Sequence, residues 1–175
     1  MSDNHDLQCV LAQIIKAYQQ NEFANSSDIH LLAHHRYEPA KEFFIKCLDD
    51  DNEDWRYECL TALGFHFVLD DVLMEKIRYL SLHDESSLIR GCAVGVWYAQ
   101  KHTIDHHLLS ILDNDEEDIM VREAVLSDIL TIYIRQIRPL SIRDVKKKIK
   151  DGEFELNSLG VSNFLSKFGV QFIPK

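Results

Sequence analysis

The sequence predicts an all-α protein, a short right-handed α-solenoid of about three helix pairs with a helical segment closing each end. Three observations predict it. Gly and Pro are scarce, 6 and 3 in 175 residues, which favours long helices over a many-turned β fold. Apolar residues recur at helical spacing along most of the chain. One stretch also occurs three times, as EDWRYECLTALGFHF at 53–67, SSLIRGCAVGVWYAQ at 86–100 and EEDIMVREAVLSDILTIY at 116–133. Each copy opens in an acidic or Ser-rich turn, then gives an apolar residue, an arginine and a run of small and apolar residues. Arg56, Arg90 and Arg122 stand 34 and 32 residues apart, a period that marks a repeat architecture.

Taken in order, residues 6–20 place Leu7, Val10, Leu11, Ile14, Ile15 and Tyr18 on one helical face, with Asp6 as an expected cap. Residues 21–28 read as a loop, and Ser27 or Asp28 is expected to cap a short helix through Leu31, Leu32 and His35. Pro39 suits a first helical turn, where its missing N–H costs nothing. The first pair is then 39–48 and 55–69, the second 72–81 and 88–101, the third 104–112 and 119–136, the second helix of each pair being the longer. Pro139 is expected to end the last long helix, and Ser141 to cap another over 142–150. Gly152 marks a turn. The tail from Phe154 carries Leu156, Leu159, Val161, Phe164, Leu165, Phe168, Phe172 and Ile173, a density that needs burial. A last helix near 162–168 is expected to cap the array, because a terminal repeat otherwise exposes its apolar face. The segments are thus 1–36 (N-terminal helical segment), 37–136 (three pairs) and 137–175 (basic helix and apolar cap), all one folding unit.

Aligned on the arginines, the preceding residues are Trp55, Ile89 and Val121. Three residues on stand Cys59, Ala93 and Val125; four on, Leu60, Val94 and Leu126; seven on, Leu63, Trp97 and Ile129. Those offsets trace one helical face. An acidic residue stands six before each arginine, at Asp50, Asp84 and Glu116. This pattern resembles the HEAT-repeat family, and in its short period the HEAT-like repeats named after phycobilisome lyases, over about residues 37–136. The usual loop proline is missing, and Gly91 and Gly95 dilute the middle copy. The resemblance implies stacked helix pairs that present a surface to a partner. It also implies a structural ladder of Arg56, Arg90 and Arg122, each reaching carboxylates and carbonyls of its own or a neighbouring loop.

Charge is unevenly spread. Residues 1–134 hold 10 Lys and Arg against 25 Asp and Glu, a balance of −15, whereas 135–175 hold 9 against 4, a balance of +5. So acidic a body repels phosphates and attracts basic partners. Direct nucleic-acid binding is not expected. No apolar run approaches the ~20 residues that span a bilayer, so no membrane partner is expected either. The polar opening MSDNHDLQ does not read as a secretory signal. Cys9, Cys47, Cys59 and Cys92 form no C-x-x-C pair. The expectation is a reduced, cytoplasmic protein.

Catalytic and metal-binding motifs are not found. Nine histidines include His30/His34 and His102/His106 at i, i+4, but no zinc-binding HExxH occurs. The acidic clusters around Asp49–Asp51 and Asp115–Asp118 contain no glycine and so miss the EF-hand order. G-x-S-x-G and phosphate-cradling glycine loops are absent. No cofactor and no catalytic residue are expected. Residues 143–150, RDVKKKIK, form a basic helix that reads as a solvated face or as a contact with nucleic acid or the acidic body.

The expected partner-binding residues are Asp50, Asp51, Asp54, Tyr57, Asp84, Glu85, Asp115, Glu116, Glu117, Asp118, Glu123 and Asp128. Tyr57, Thr61, Gly91, Gly95, Glu123 and Ser127, one and five after each arginine, are expected to be exposed, and Trp55 is a weaker candidate anchor. A basic protein is the expected partner. In general character, though with no diagnostic motif, the chain resembles immunity proteins of toxin–immunity systems, such as the inhibitors of contact-dependent growth inhibition. That likeness implies occlusion of a basic toxin nuclease. The alternatives are a HEAT-like scaffold or regulatory adaptor, and a HEAT-like enzyme of the bilin lyase or DNA glycosylase type. A glycosylase needs a basic concave face, which residues 1–134 lack.

Overall fold

In the computed structural model the described residues are 3–133, 136 and 140–172. Among them every regular element is an α-helix, and no strand occurs. The order is α1 (Asp3–Gln19), α2 (Ser26–His34), α3 (Glu38–Cys47), α4 (Glu53–His66), α5 (Asp71–His83), α6 (Ser87–Lys101), α7 (His106–Asp113), α8 (Ile119–Tyr133), α9 (Ile142–Lys150) and α10 (Ser158–Ser166).

Several boundaries differ from expectation for local reasons. Asp6 lies inside α1, which starts at Asp3. Asn25, not Ser27 or Asp28, caps α2, its side chain accepting from the Ser27 amide at 3.0 Å. Ser141 does cap α9, through a reciprocal box with Asp144. The last helix runs Ser158–Ser166 because Asn157 caps it, accepting from the Gly160 amide at 2.7 Å. Phe168 therefore lies beyond the helix and is 39% exposed, so it is not buried with Phe164 and Leu165. Pro139 and Ile173 lie outside the described residues.

The chain forms two compact units, residues 1–75 and 76–175, which cut across the three segments read from the sequence. In the first unit α2 and α3 pack against α4, and α1 packs on α2. Its core includes Ile14, Ile29, Leu32, Phe44, Cys47, Leu48, Cys59, Leu60 and Leu63. Trp55 is buried too, edge-on to Tyr18, Phe23 and Phe43 at 5.3, 4.9 and 5.8 Å. It is thus core, not a surface anchor.

In the second unit α8 is central, packing against α6, α7 and α9, while α10 packs on α7. The core includes Ile77, Ile89, Val94, Leu108, Leu112, Val125, Leu126, Ile129, Val161 and Leu165. Gly160 is required where α10 begins, since a Cβ there would stand 2.1 Å from the Glu155 carbonyl oxygen. Phe154 stacks on Phe164 at 4.5 Å, folding the tail onto itself.

Candidate functional site

The repeated motif sets the geometry of the loops. Arg56, Arg90 and Arg122 are each the fourth residue of their helix. Cα–Cβ bonds tilt toward a helix N-terminus, so each side chain runs back over the preceding loop. Arg56 donates to the carbonyls of Asp50 and Asp51 at 2.8 and 3.0 Å. Arg90 donates to those of Asp84 and Glu85 at 2.7 and 3.2 Å. Arg122 instead donates to the Leu112 carbonyl at 3.0 Å and to that of Leu156 in the tail. The apolar residues at the four aligned offsets are all buried.

The loop acids are largely engaged in shaping these turns. Asp50 and Asp84 accept from the amides of Asn52 and Ser86 at 2.8 and 2.9 Å. Asn52 and Ser86 in turn cap α4 and α6. Asp118 accepts from the Met120 amide at 2.8 Å. Glu117 takes Arg90 on both oxygens, the shortest contact being 2.7 Å, with its side chain only 9% exposed. Glu123 pairs with Lys146 of α9 at 3.2 Å, and Asp115 with Arg122 at 2.9 Å, although Asp115 is 88% exposed. Asp51, Asp54, Glu85 and Glu116 are exposed.

The six positions expected to be exposed are half-buried instead: Tyr57, Thr61, Gly91, Gly95, Glu123 and Ser127. The hydroxyls of Thr61 and Ser127 fold back to the carbonyls of Tyr57 and Glu123. Asp128 is also half-buried. Its Oδ2 is enclosed without a hydrogen-bond partner, and burial pushes its pKa up to about 7.

One notch in the first unit brings sequence-predicted residues together. Asp50, Asp51, Asn52 and Trp55 from the α3–α4 loop and α4 line it with Tyr18 and Asn21 from the end of α1, around a cavity of about 340 Å³. The Tyr18 hydroxyl donates to the Asp50 carboxylate, and that hydrogen bond, then burial, pushes the phenol up to about 12. Lys46 lies over the Tyr18 ring at 5.0 Å. The notch offers carboxylate oxygens beside an aromatic wall, a chemistry suited to a guanidinium or ammonium group.

A buried polar chain in the second unit went unnoticed in the sequence. Ser81 Oγ lies 2.8 Å from His107 Nε2, and His107 Nδ1 lies 3.1 Å from Asp105 Oδ1. The order Ser–His–Asp is that of a hydrolytic triad. Ser81 has no exposed surface, however, and its hydroxyl also lies 2.8 Å from the Arg78 carbonyl, while Asp105 caps α7. Acyl transfer needs a nucleophile open to a carbonyl carbon, so here the chain ties the start of α7 to α5. Only adjacency in space reveals it, since Ser81 and His107 stand 26 residues apart.

In the first unit His30 Nε2 lies 2.8 Å from Glu58 Oε2, and burial, then His34, lowers the pKa of His66. Among the described residues no group of three or more His, Cys, Asp or Glu is placed to hold a metal ion, and no helix is long and apolar enough to cross a membrane. No family model, no curated protein and no solved structure matches this chain.

Proposed function

We propose that this chain is a protein-binding module that takes a basic partner on its acidic loops, acting in the cytoplasm as an immunity protein that binds and blocks a basic toxin nuclease. The observation that carries the reading is the −15 balance of residues 1–134, with Asp51, Asp54, Glu85, Asp115 and Glu116 still displayed at the surface once the loops are closed. Such a surface speeds encounter with a basic domain and competes with the phosphates that domain would otherwise hold. The notch of Tyr18, Asp50, Asp51 and Trp55 supplies one acceptor for a lysine or arginine of the partner. The helix pairs are of HEAT-like kind on this reading, supported by an arginine at the fourth position of α4, α6 and α8. The chain works by occlusion, with no catalytic step and no cofactor.

A HEAT-like adaptor is the second reading, favoured by the same regularity of the pairs, which is indifferent to the charge of a partner. Affinity capture from the host, followed by interferometry with the captured protein, separates the two. The immunity reading expects a basic nuclease whose cleavage of plasmid DNA stops in the complex. Its on-rate should fall as salt rises, the Debye length shrinking from ~30 Å at 0.01 M to ~8 Å at 0.15 M. The variant Asp51→Lys/Asp54→Lys/Glu116→Lys should bind more slowly still. These positions avoid Glu117 and Asp118, whose side chains hold the fold. A partner that is not a nuclease, bound at a salt-independent rate, decides for the adaptor.

A further inference from the structure

The helix α9 has a face that the proposed function does not use. Its apolar residues turn inward, with Val145 buried and Ile142 and Ile149 half-buried. Of its basic residues, Lys146 is held by Glu123 and Lys148 by Glu153, at 3.2 and 2.6 Å. Asp144 is committed to the Ser141 cap, whose hydrogen bonds hold its carboxyl below the usual range. Arg143, Lys147 and Lys150 remain exposed, with no ion pair among the described residues. They stand at i, i+4 and i+7, a single row about 10 Å long at ~1.5 Å rise per residue. This row borders an open cavity of about 560 Å³ lined by Ile142, Arg143, Asp144, Lys146, Lys147 and Lys150.

We propose that this face of α9 is a binding site for the phosphate backbone of a nucleic-acid strand. Three cations in one row, several ångströms apart, match consecutive phosphates and not a single anion. A membrane surface is the poorer match. A helix that lies in a membrane interface buries a broad apolar face in lipid, whereas α9 spends its apolar side on the protein. The row is engaged by phosphates alone, contacts that position a strand and carry no sequence information. The contact is therefore independent of sequence. The proposal does not rest on the immunity reading: it concerns the basic segment, not the acidic loops.

The test is fluorescence anisotropy of a 5′-fluorescein oligothymidylate of twenty nucleotides with the full-length protein between 20 and 200 mM NaCl. Three neutralised phosphates predict a slope of log K against log salt of about −2 for a single strand, so affinity should fall about 20-fold between 50 and 200 mM. Arg143→Gln/Lys147→Gln/Lys150→Gln should abolish binding, and Lys147→Gln alone should lower the slope by about 0.7. Lys148→Gln, which removes a cation already held by Glu153, should leave affinity within about twofold. The three exposed side chains can be exchanged without touching the core, and circular dichroism checks this. An oligonucleotide that stays free at 20 mM NaCl overturns the proposal, as does equal binding by the triple variant. Phosphatidylserine vesicles that bind while the oligonucleotide does not would assign the face to a membrane. Self-association lost in the triple variant, with the oligonucleotide unbound, would assign it to the acidic loops of a second copy.

Discussion

The loops before α6 and α8 carry the same arginine at the same helical position and use it differently. Arg90 closes a loop of three residues by taking the Asp84 and Glu85 carbonyls, and its remaining N–H groups grip Glu117 in the following loop. Arg122 closes a loop of five residues. There Arg122 takes the Leu112 carbonyl, 10 positions back, where Arg56 and Arg90 take the carbonyl 6 back. The outer donors of Arg122 meet the Leu156 carbonyl of the tail and the exposed Asp115. A guanidinium has five donors in a fixed fork. The repeat supplies the fork, and whatever segment comes next supplies the acceptor. The tail can thus satisfy the outer donors of Arg122 by offering one backbone carbonyl in the right place.

The comparison breaks first at the tail. Deleting residues 154–175 removes the acceptor of Arg122 together with Leu156, Val161, Phe164 and Leu165, all buried. Losing one such side chain costs ~2–5 kcal/mol, against a total stability of ~5–15 kcal/mol. The second unit should lose its cooperative transition in a thermal melt followed by circular dichroism. A truncated chain that melts with the parent would show that Leu156 is only a bystander to Arg122.

Asp128 sets the next largest effect, on α8 itself and away from the arginine. Its folded pKa, about 7, lies above the ordinary aspartate value of 3.8 because burial disfavours the charge. Between those values the folded state holds more protons than the unfolded one. The contribution is therefore favourable at low pH and is lost as pH rises toward 7. From pH 5 to pH 8 the wild type should lose up to about 3 kcal/mol from this group. Asp128→Asn should flatten that part of the profile and raise stability at pH 8. Denaturant titrations at the two pH values decide it, and parallel profiles for the two proteins would count against a buried, unpaired carboxyl.

What was legible in the sequence was what repeats. Trp55, Ile89 and Val121 announce buried positions because three copies agree, and the arginine offset announces a side chain aimed at a loop. The site was legible only in part. Carboxylates at Asp50, Asp84, Glu117 and Asp118 look alike as letters, yet a two-residue offset makes one a turn former and a 27-residue partner makes another half of an ion pair. Glu123 reads as a free surface acid until α9 brings Lys146 to it. Gly160 gave no signal, since its need arises from the Glu155 carbonyl after the tail has turned.

That glycine gives a narrower test of the tail. Gly160→Ala keeps every apolar residue but drives a methyl group into the Glu155 carbonyl, so α10 must shift on α7. Overpacking of this kind costs ~1–3 kcal/mol or somewhat more. A denaturant midpoint unchanged from wild type would mean that the 155–160 turn adapts freely. It would then not be what positions Leu156 for Arg122.

The smallest and sharpest difference is between the two arginines themselves. Arg90→Ala leaves Glu117, whose side chain is 9% exposed, without its counter-ion and with only the Asp118 amide at 2.7 Å to hold a largely desolvated carboxylate. Arg122→Ala leaves Asp115, which is 88% exposed and loses almost nothing to water. Main-chain carbonyls lose their donor in both cases, a cost of ~1–2 kcal/mol. Arg90→Ala should therefore exceed Arg122→Ala by about 1–2 kcal/mol, the penalty of the stranded charge. Adding Glu117→Gln to Arg90→Ala should recover most of that difference. A double-mutant cycle on Arg90 and Glu117 should give a coupling of ~1 kcal/mol or more, and one on Arg122 and Asp115 a coupling near zero. Equal couplings would mean that exposure does not distinguish the two pairs. Asp115 would then hold Arg122 as firmly as Glu117 holds Arg90.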